Sequence, residues 1–290
     1  MRRVTILLTG AQGQIGFELA RLLSPYGEVV ATDRTTLDLA DPDAIVAAVR
    51  GARPALVVNA GAYTAVDRAE TEAALAHAVN GRAPGILAEE AKRIGAVLIH
   101  FSTDYVFDGT RRAPYPEDAP TAPLNVYGAS KLEGERGIAA AGAHAIVLRT
   151  SWVYGLRGRN FLLTIRRLAA ERDELAIVAD QFGVPNWSRT LAEATARIVG
   201  AGLPALAARA GLYHLSCTGQ ASWHDFAQAI VGAAPRPKII PISTAEYPTP
   251  ARRPAYGVLA TAHFATTFGI VLPDWRDALA SCLESTTGTA

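Results

Sequence analysis

The stretch VTILLTGAQGQIGFELARLL, residues 4–23, decides the fold of this chain. It begins with an apolar run over 4–8, which is typical of a buried strand, and ends with apolar residues at helical spacing. Between them, Gly10, Gly13 and Gly16 form a GxxGxxG array. The first glycine permits a tight turn, the second lets a pyrophosphate approach the backbone, and the third lets the helix pack on the strand. The array predicts a dinucleotide-binding turn, with the anion at the helix N-terminus.

Strands and helices alternate through the rest of the first 150 residues. Further apolar runs predict strands over 29–32, 55–59, 96–101 and 145–148. Segments with helical periodicity predict helices over about 15–23, 42–49, 70–95 and 126–140. Continuous apolar strands that alternate with helices imply a parallel sheet covered on both faces. We therefore predict an α/β fold with a doubly wound, Rossmann-like parallel sheet.

The alternation loosens after about residue 150, where proline and aromatic residues become frequent. This change of pattern predicts two domains. We assign residues 1–150, together with about 187–212, to a dinucleotide-binding domain. The rest of 151–290 is assigned mainly to a smaller C-terminal substrate-binding domain. A chain of 290 residues accommodates this division, because domains run to roughly 100 to 200 residues.

Charge and cysteine usage exclude several classes of protein. The chain has 28 Lys and Arg residues against 27 Asp and Glu and no basic cluster, so nucleic-acid binding is not expected. Its two cysteines lack neighbouring Cys or His at ligand spacing, which disfavours a disulfide framework or a zinc site. No apolar run approaches the roughly 18 residues of a membrane span, and the first run ends at a glycine-rich turn. We expect a cytoplasmic protein that acts on small molecules.

Two residues at the end of the second predicted strand bear on the choice of cofactor. Asp33 follows the glycine array at the spacing where dinucleotide folds place the group that reads the adenosine ribose. A carboxylate there favours the free 2′-hydroxyl of NADH, whereas the adjacent Arg34 suits the 2′-phosphate of NADPH. The sequence therefore leaves NADH and NADPH both open.

Tyr127 and Lys131, in the stretch YGASK, are the candidate acid and its partner. Residues at i and i+4 share a face of a helix. A phenol becomes a usable acid near neutrality when an ammonium beside it lowers its pKa, and the same lysine can hold ribose hydroxyls. The alternative is that Tyr127 and Lys131 are a solvated helix pair without a catalytic role. Chemistry is favoured because the strand over 96–101 runs into Ser102 and Thr103, at the carboxyl end where open α/β sheets bind ligands.

These motifs, in this order, resemble the extended short-chain dehydrogenase/reductase family, whose members mostly act on nucleotide sugars. The similar stretches extend over essentially the whole chain: TGAQGQIG, NAGAYTAVDRAE, STDYVFDG, PLNVYGASKLEGE, LRTSWVYG, NFL and DQFGVP. The resemblance implies a catalytic set of Thr103, Tyr127 and Lys131. Together with the motifs, it predicts a cofactor site of Gly10, Gln12, Gly13, Gln14, Ile15, Gly16, Asp33, Arg34, Asp38, Leu39, Ala60, Gly61, Ala62, Tyr63, Tyr127 and Lys131. It further predicts a substrate site of Thr103, Asp104, Tyr105, Trp152, Asn160 and Arg253, with Trp152 packed on the sugar.

The resemblance also implies a reaction. A reduced nicotinamide would transfer hydride to C4 of a 4-keto-6-deoxy nucleotide sugar, and Tyr127 would protonate the resulting alkoxide. Thr103 would hold the same oxygen. Lys131 would lower the pKa of the tyrosine and clamp the nicotinamide ribose.

Three positions depart from the family pattern. Asn186 stands where the family usually has Thr after DQFGVP, and Gly257 stands where a hydroxyl is usual, which puts one substrate contact in doubt. Some members bind magnesium at a dimer interface through acidic residues. Glu18 matches the first acid, but Arg189 stands where a second would, so a cation would face a cation. We predict no metal requirement, and a homodimer stays open.

Several alternatives remain beside reduction. A 4,6-dehydratase is disfavoured, because Tyr105 stands where that relative carries a glutamate. A nucleotide-sugar epimerase would use the same Tyr/Lys pair, and differs mainly in how the keto intermediate turns. A non-catalytic regulatory subunit, resembling that of methionine adenosyltransferase, is the alternative from another class. The intact set of Thr103, Tyr127 and Lys131 favours catalysis.

Overall fold

The computed structural model describes residues 4–232 and 237–287, without the side chains of 286 and 287. Its strands are β1 Thr5–Thr9, β2 Glu28–Ala31, β3 Leu56–Asn59, β4 Val97–Thr103, β5 Ala145–Thr150, β6 Val153–Tyr154, β7 Glu174–Val178, β8 Phe182–Gly183, β9 Asn186–Trp187, β10 Gly211–His214, β11 Ala221–Ser222 and β12 Lys238–Ile242. Its α-helices are α1 Gln14–Leu22, α2 Pro42–Ala52, α3 Val66–Ala69, α4 Ala73–His77, α5 Ala83–Ile94, α6 Val126–Ala141, α7 Phe161–Glu171, α8 Ser188–Gly200, α9 Leu203–Ala207, α10 Trp223–Val231, α11 Ala262–Phe268 and α12 Trp275–Thr287.

The main sheet has the order β10-β5-β4-β3-β1-β2, and all its strands are parallel. Every residue of β3, β4 and β5 is buried, as continuous apolar runs require in a sheet covered on both faces. The chain winds outward from β1 in one direction to β2 and in the other to β3. The crevice between β1 and β3 is therefore the topological switch point, where such folds bind ligands. The predicted doubly wound, Rossmann-like fold is confirmed.

Capping residues set the ends of the helix that carries Tyr127 and Lys131. Asn125 precedes α6, and its side-chain oxygen accepts a hydrogen bond from the backbone N–H of Gly128 at 2.8 Å. Gly142 ends the helix with a φ of 62°, the left-handed conformation that glycine adopts without strain. Both candidate residues therefore lie on the first turns of a helix whose start is fixed.

The helix predicted over about 70–95 is interrupted in the structure. Helix α4 passes through a π-helical turn, Ala78–Arg82, before α5 begins. The π-turn directs the buried Asn80 inward, where its amide accepts from the backbone N–H of Tyr63 at 2.8 Å and donates to the Tyr63 carbonyl at 2.9 Å. The amide also donates to the Ser130 hydroxyl at 3.1 Å. An extra residue in a helical turn leaves little trace in hydrophobic periodicity, so the sequence predicted one regular helix.

The second half of the chain contributes to the main sheet as well as to the region beyond it. Strand β10 adds to the edge of the sheet beside β5, and α8 packs against α1. Short strand pairs, β6–β9, β7–β12 and β8–β11, lie outside the main sheet. One continuous apolar cluster extends from β1 to α12. The division into two domains stays a prediction. None of the helices in the described ranges is long and apolar enough to cross a membrane.

Candidate active site

The glycine array brings the ends of β1 and β3 into direct contact. Gly10 has a φ of 70°, and a Cβ on it would lie 2.5 Å from the Cα and N atoms of Gly61. A Cβ on Gly16 would lie 2.1 Å from the Gly10 carbonyl oxygen. Gly13 immediately precedes α1 and caps it without a side chain. The glycines therefore clear the N-terminus of α1 of side chains, as an approaching pyrophosphate requires.

A cavity of about 570 Å³ opens at the carboxyl ends of the main-sheet strands. The residues predicted for the cofactor site line it, namely Gly10, Gln12, Gly13, Gln14, Ile15, Asp33, Arg34, Asp38, Leu39, Ala60, Gly61, Ala62, Tyr63, Tyr127 and Lys131. Gly16 is the exception, because it is buried beneath the turn against Gly10. The cavity is within the usual size range of ligand sites, and its glycine cradle would be filled by any Cβ. These residues fit a dinucleotide.

The sequence missed a further part of the cavity wall. These lining residues are Leu37, Thr64, Leu75, Val79, Phe101, Thr150, Val153, Gly158 and Arg159, whereas Ser102, which also lines the cavity, is one that the sequence places at a ligand-binding strand end. Several of them stand at the carboxyl end of a strand or just after it, so strand ends were the available signal. Gly158 and Arg159 come from a loop that follows β6, and no motif marked them.

Asp33 and Arg34 both line the cavity. The Asp33 Oδ1 atom accepts hydrogen bonds from the backbone N–H of Thr35 at 2.9 Å and of Thr36 at 3.2 Å, and from both hydroxyls. These bonds, led by the Thr35 hydroxyl, hold the pKa of the Asp33 carboxyl below its usual value. The ionised carboxylate and the guanidinium are neighbours at the ribose-reading position, so the structure keeps NADH and NADPH both open.

Lys131 is held by a buried polar network that crosses the sheet. Its Nζ donates to the Phe101 carbonyl at 2.5 Å and lies 3.4 Å from His100 Nε2. The His100 Nδ1 atom is 3.0 Å from Asn59 Nδ2, and Asn59 Oδ1 accepts from the Thr9 hydroxyl at 2.6 Å. Burial, followed by the nearby ammonium, lowers the pKa of His100 well below its usual value, so the imidazole is neutral. The network connects the ends of β1, β3 and β4 to α6.

Burial also changes the charge balance of Lys131. It lowers the pKa of the ammonium to about 8, against which Glu135, one turn further along α6, acts in the opposite direction. Glu135 is itself paired with Arg149, with contacts of 2.8 and 2.6 Å, and accepts from the Ser102 hydroxyl at 2.5 Å. Lys131 therefore remains largely protonated at neutral pH, with a proton that is easier to release than that of an exposed lysine.

Tyr127 differs from its prediction in one respect. Burial raises the pKa of its phenol to about 12, an interaction with the Thr103 hydroxyl acts in the opposite direction, and Asp104 raises it further. The predicted lowering by Lys131 is wrong for this structure, because the lysine Nζ faces the Phe101 carbonyl. The phenol is therefore protonated throughout the neutral range, which is the form that a proton donor needs.

Three of the residues predicted to bind substrate, Thr103, Asp104 and Tyr105, interact with Tyr127. The ring of Tyr105 meets that of Tyr127 edge-on, with centroids 5.5 Å apart at 79°. Burial raises the pKa of the neighbouring Asp104 carboxyl to about 7. A Cβ on Gly257 would lie 2.5 Å from Asp104 Oδ2, so this departure from the family pattern accommodates a close approach of two chain segments. Arg253 donates to Asp67 through two contacts of 3.0 and 2.8 Å.

Aromatic packing fixes Trp152 in an unusual backbone conformation. Its φ is 43°, a left-handed value that is rare for a bulky residue. The indole stacks on Trp223, with centroids 3.5 Å apart at 6°, and a Cβ on Gly183 would lie 2.5 Å from it. Phe161 packs in turn on Trp223. Strained residues held by their surroundings occur at ligand sites, and the sugar contact predicted for Trp152 stays a prediction.

Asn160 joins the loop before α7 to the glycine turn. Its side-chain oxygen accepts from the backbone N–H of Leu163 at 3.0 Å and so caps α7. Its Nδ2 donates to Gln14 Oε1 and to the Gly155 carbonyl, each at 2.9 Å. Gln14 lines the cofactor cavity, so Asn160 lies on that side of the site. The substrate contact predicted for Asn160 stays a prediction.

The other departures from the family pattern have structural partners. Buried Asn186 donates to the carbonyls of Ser151 and Val184, at 2.8 and 2.9 Å, and accepts from the backbone N–H of Cys217 at 2.7 Å. Arg189 pairs with Glu193 on its own helix. Within residues 4–232 and 237–287, His, Cys, Asp and Glu form no group of three or more that could hold a metal ion.

The doubly wound parallel sheet, the glycine turn at its switch point and the Tyr/Lys pair at the strand ends define the class of this chain. They are the features of an extended short-chain dehydrogenase/reductase, and the cavity that they enclose fits a dinucleotide.

Comparison with known proteins narrows this class. The family model described as RmlD substrate binding domain matches residues 4–287. A dTDP-4-dehydrorhamnose reductase from Burkholderia thailandensis is 51% identical over 96% of this chain and 98% of the relative. A protein of the same name from Escherichia coli K12 is 42% identical over 94% and 95%. The crystal structure of dTDP-4-dehydrorhamnose reductase from Bacillus anthracis, in complex with NADP, is 33% identical with a TM-score of 0.91, over 98% of this chain and 100% of that one. The chain belongs to the RmlD family.

Proposed function

We propose that this chain is an NAD(P)H-dependent reductase that converts dTDP-4-dehydro-β-L-rhamnose to dTDP-L-rhamnose. The observation that carries the proposal is the placement of a protonated, buried phenol, Tyr127, at the wall of a cavity that fits a dinucleotide. The names of the relatives in the family support the substrate.

The reaction needs a hydride at C4 of the sugar and a proton on its C4 oxygen. A bound reduced nicotinamide supplies the hydride. Tyr127 donates the proton, because its raised pKa keeps the phenol protonated until the alkoxide forms. Thr103 holds the same oxygen by its hydroxyl. In this structure the hydroxyl accepts from the backbone N–H of Tyr105 at 3.2 Å and donates to Asp104 at 3.1 Å, so its single proton must turn from Asp104 to the sugar oxygen when the substrate binds.

Lys131 binds the cofactor for the same step. Its ammonium is anchored by the Phe101 carbonyl and lines the cavity, so it holds the ribose next to the nicotinamide. Asp33 and Arg34 receive the other ribose, and the pair accepts NADH as well as NADPH.

The sugar lies on the opposite side of Tyr127 from the cofactor. We propose that Asp104, Tyr105, Trp152 and Arg253 contact it there. Asn160, which bonds Gln14 of the cofactor cavity, would contact it where the sugar meets the cofactor. Tyr105 and Trp152 offer aromatic surface for the faces of the sugar ring. Arg253 offers a guanidinium for the diphosphate, held in place by Asp67.

To test the proposal, the purified protein is incubated with enzymatically generated dTDP-4-dehydro-L-rhamnose and either NADH or NADPH. We expect loss of the reduced nicotinamide absorbance and a product that co-elutes with dTDP-L-rhamnose. Loss of the 4-keto sugar without net oxidation of the cofactor would indicate an epimerase, which returns its hydride to the sugar. No change in either compound, in a protein that binds cofactor, would indicate a non-catalytic binding subunit. Either result would overturn the proposal.

A further inference from the structure

One residue that lines the cofactor cavity, Thr150, carries a buried hydroxyl that has no hydrogen-bond partner. Within the described ranges, three buried polar side-chain atoms lack a hydrogen-bond partner: Thr150 Oγ1, Tyr154 Oη and His214 Nε2. Of these three residues, Thr150 lines the cofactor cavity, and it is 6% exposed. A buried hydroxyl without a partner is costly, so one on a residue that lines a ligand cavity is a candidate for a bond to the ligand.

Other buried threonines of the chain show that the fold ordinarily satisfies this group. Thr195 in α8 donates to the Leu191 carbonyl at 2.8 Å, and Thr9 donates to Asn59 at 2.6 Å. Both side chains are fully buried. The unpaired state of Thr150 is therefore not a general property of threonine in this core.

The position of Thr150 in the sheet identifies which part of a dinucleotide it faces. It is the last residue of β5 and pairs in register with Thr103, the last residue of β4. Tyr127 and Lys131, the residues assigned to proton transfer and to the adjoining ribose, line the same cavity. Asp33 is assigned to the adenosine ribose, so the reacting ring belongs beside Thr150.

The chemistry of that ring leaves one polar group for Thr150. A nicotinamide ring carries a single polar substituent, its carboxamide, and Lys131 is already assigned to the ribose hydroxyls. Phe101 and Val153 line the same cavity and offer apolar surface to the ring itself. A hydroxyl can donate to the carboxamide carbonyl or accept from its NH₂ group.

We propose that Thr150 is a cofactor-positioning residue whose hydroxyl turns into the cavity when the cofactor binds and hydrogen bonds the nicotinamide carboxamide. This inference rests on the proposed reductase function. The bond fixes the rotation of the ring about its bond to the ribose, and so determines which face of the ring is turned toward the sugar.

The test compares binding of NADPH with binding of 2′-phospho-ADP-ribose, which lacks the nicotinamide ring. Titration calorimetry is applied to the wild type, Thr150→Val, Thr150→Ser and the control Thr195→Val, each shown to be folded by its melting curve. We expect Thr150→Val to raise the Kd of NADPH about tenfold and to leave that of 2′-phospho-ADP-ribose unchanged. Thr150→Ser retains a hydroxyl and should restore wild-type binding. Thr195→Val should leave both constants unchanged.

A carboxamide analogue sharpens the assignment. Reduced thionicotinamide cofactor carries sulfur in place of the carbonyl oxygen, and sulfur is a weaker acceptor. If the hydroxyl donates to that oxygen, the analogue should bind the wild type several-fold more weakly than NADPH does. Thr150→Val should then bind the analogue and NADPH about equally well. If it accepts from the NH₂ group, the analogue should follow NADPH in every variant. Both patterns support a carboxamide contact, provided that Thr150→Val weakens NADPH alone.

Two results would overturn the inference. Equal binding of NADPH by wild type and Thr150→Val would show that the hydroxyl makes no contact with the ring. Parallel weakening of NADPH and 2′-phospho-ADP-ribose would show that Thr150 acts on the cavity as a whole. Failure of the wild type to bind either NADPH or NADH would instead overturn the proposed function, and this inference with it.

Discussion

The two sides of the site are built by different means. The cofactor side consists largely of backbone and small residues at the ends of β1 to β4, where Gly10 and Gly61 are in direct contact. The substrate side depends on long side chains that join distant segments. Asp67 pairs with Arg253, and Asn125 donates to the Arg252 carbonyl at 2.7 Å. The first side is therefore specified by local motifs, and the second by contacts that form only when the chain has folded.

Tyr127 stands where the two sides meet, and its loss should have the largest effect. Tyr127→Phe removes the proton donor and keeps the ring, so we expect kcat to fall by about 10² to 10⁴. The Kd of NADPH should change less than about twofold, because the assigned ribose contact belongs to Lys131. Stopped-flow rates and calorimetry measure the two quantities. Tyr213→Phe, whose hydroxyl bonds the Arg209 carbonyl, is the control. Activity near that of wild type would mean that another group protonates the sugar.

A single added methyl group should disrupt NADPH binding on the cofactor side. Gly10→Ala combines left-handed backbone, which costs roughly 1–2 kcal/mol, with overpacking against Gly61, which costs roughly 1–3 kcal/mol. We expect the free energy of unfolding to fall by their sum and the Kd of NADPH to rise by about a hundredfold. Gly95→Ala is the matched control, because Gly95 has a φ of 72° and open space around it. Equal losses in the two variants would show that the contact with Gly61 is unimportant.

The substrate side should be weakened separately. Asp67→Asn removes the charge that orients Arg253, so we expect the KM for the nucleotide sugar to rise about tenfold, equivalent to roughly 1.4 kcal/mol. The Kd of NADPH should be unchanged. Glu171→Gln removes an acid from an exposed pair with Arg167 and should alter neither constant. A change in NADPH binding by Asp67→Asn would contradict the separation of the two sides.

The smallest expected effect is the contribution of Lys131 to the pH dependence of the free energy of unfolding. Its pKa is lowered from 10.5 to about 8, so the fold disfavours the ammonium, and this penalty is relieved as the pH rises through 8 toward 10.5. Relative to Lys131→Met, the free energy of unfolding of the wild type should rise by about 1 kcal/mol between pH 8 and 9. Urea denaturation at each pH measures it. A difference that is flat or falls with pH would mean that Lys131 is not desolvated.

The same division explains how much the sequence predicted. Gly10, Gly13 and Tyr63 could be placed at the cofactor cavity because strand ends and glycine spacing locate backbone directly. Asp67 could not be assigned to Arg253, since nothing in the sequence pairs residues so far apart. The π-helical turn at Asn80 was also missed, because an extra residue per turn hardly alters periodicity.

The hydrogen-bond network around Lys131 could not be predicted from the sequence, for a related reason. His100 and Asn59 belong to buried strands, where a polar residue among apolar ones shows no partner in the sequence. Only the register of β1, β3 and β4 brings these side chains into line with Lys131. The motif singled out Tyr127, which lines the cavity, but the direction of its pKa shift depended on where the lysine points.

The most direct test of the account follows the hydride itself. The wild type is supplied with dTDP-4-dehydro-L-rhamnose and NADPH deuterated at C4 of the nicotinamide, and the product is examined by mass spectrometry and NMR. We predict dTDP-L-rhamnose with deuterium at C4 of the sugar, formed in proportion to the cofactor oxidised. Unlabelled product, or an isomerised ketose with the cofactor still reduced, would contradict the account.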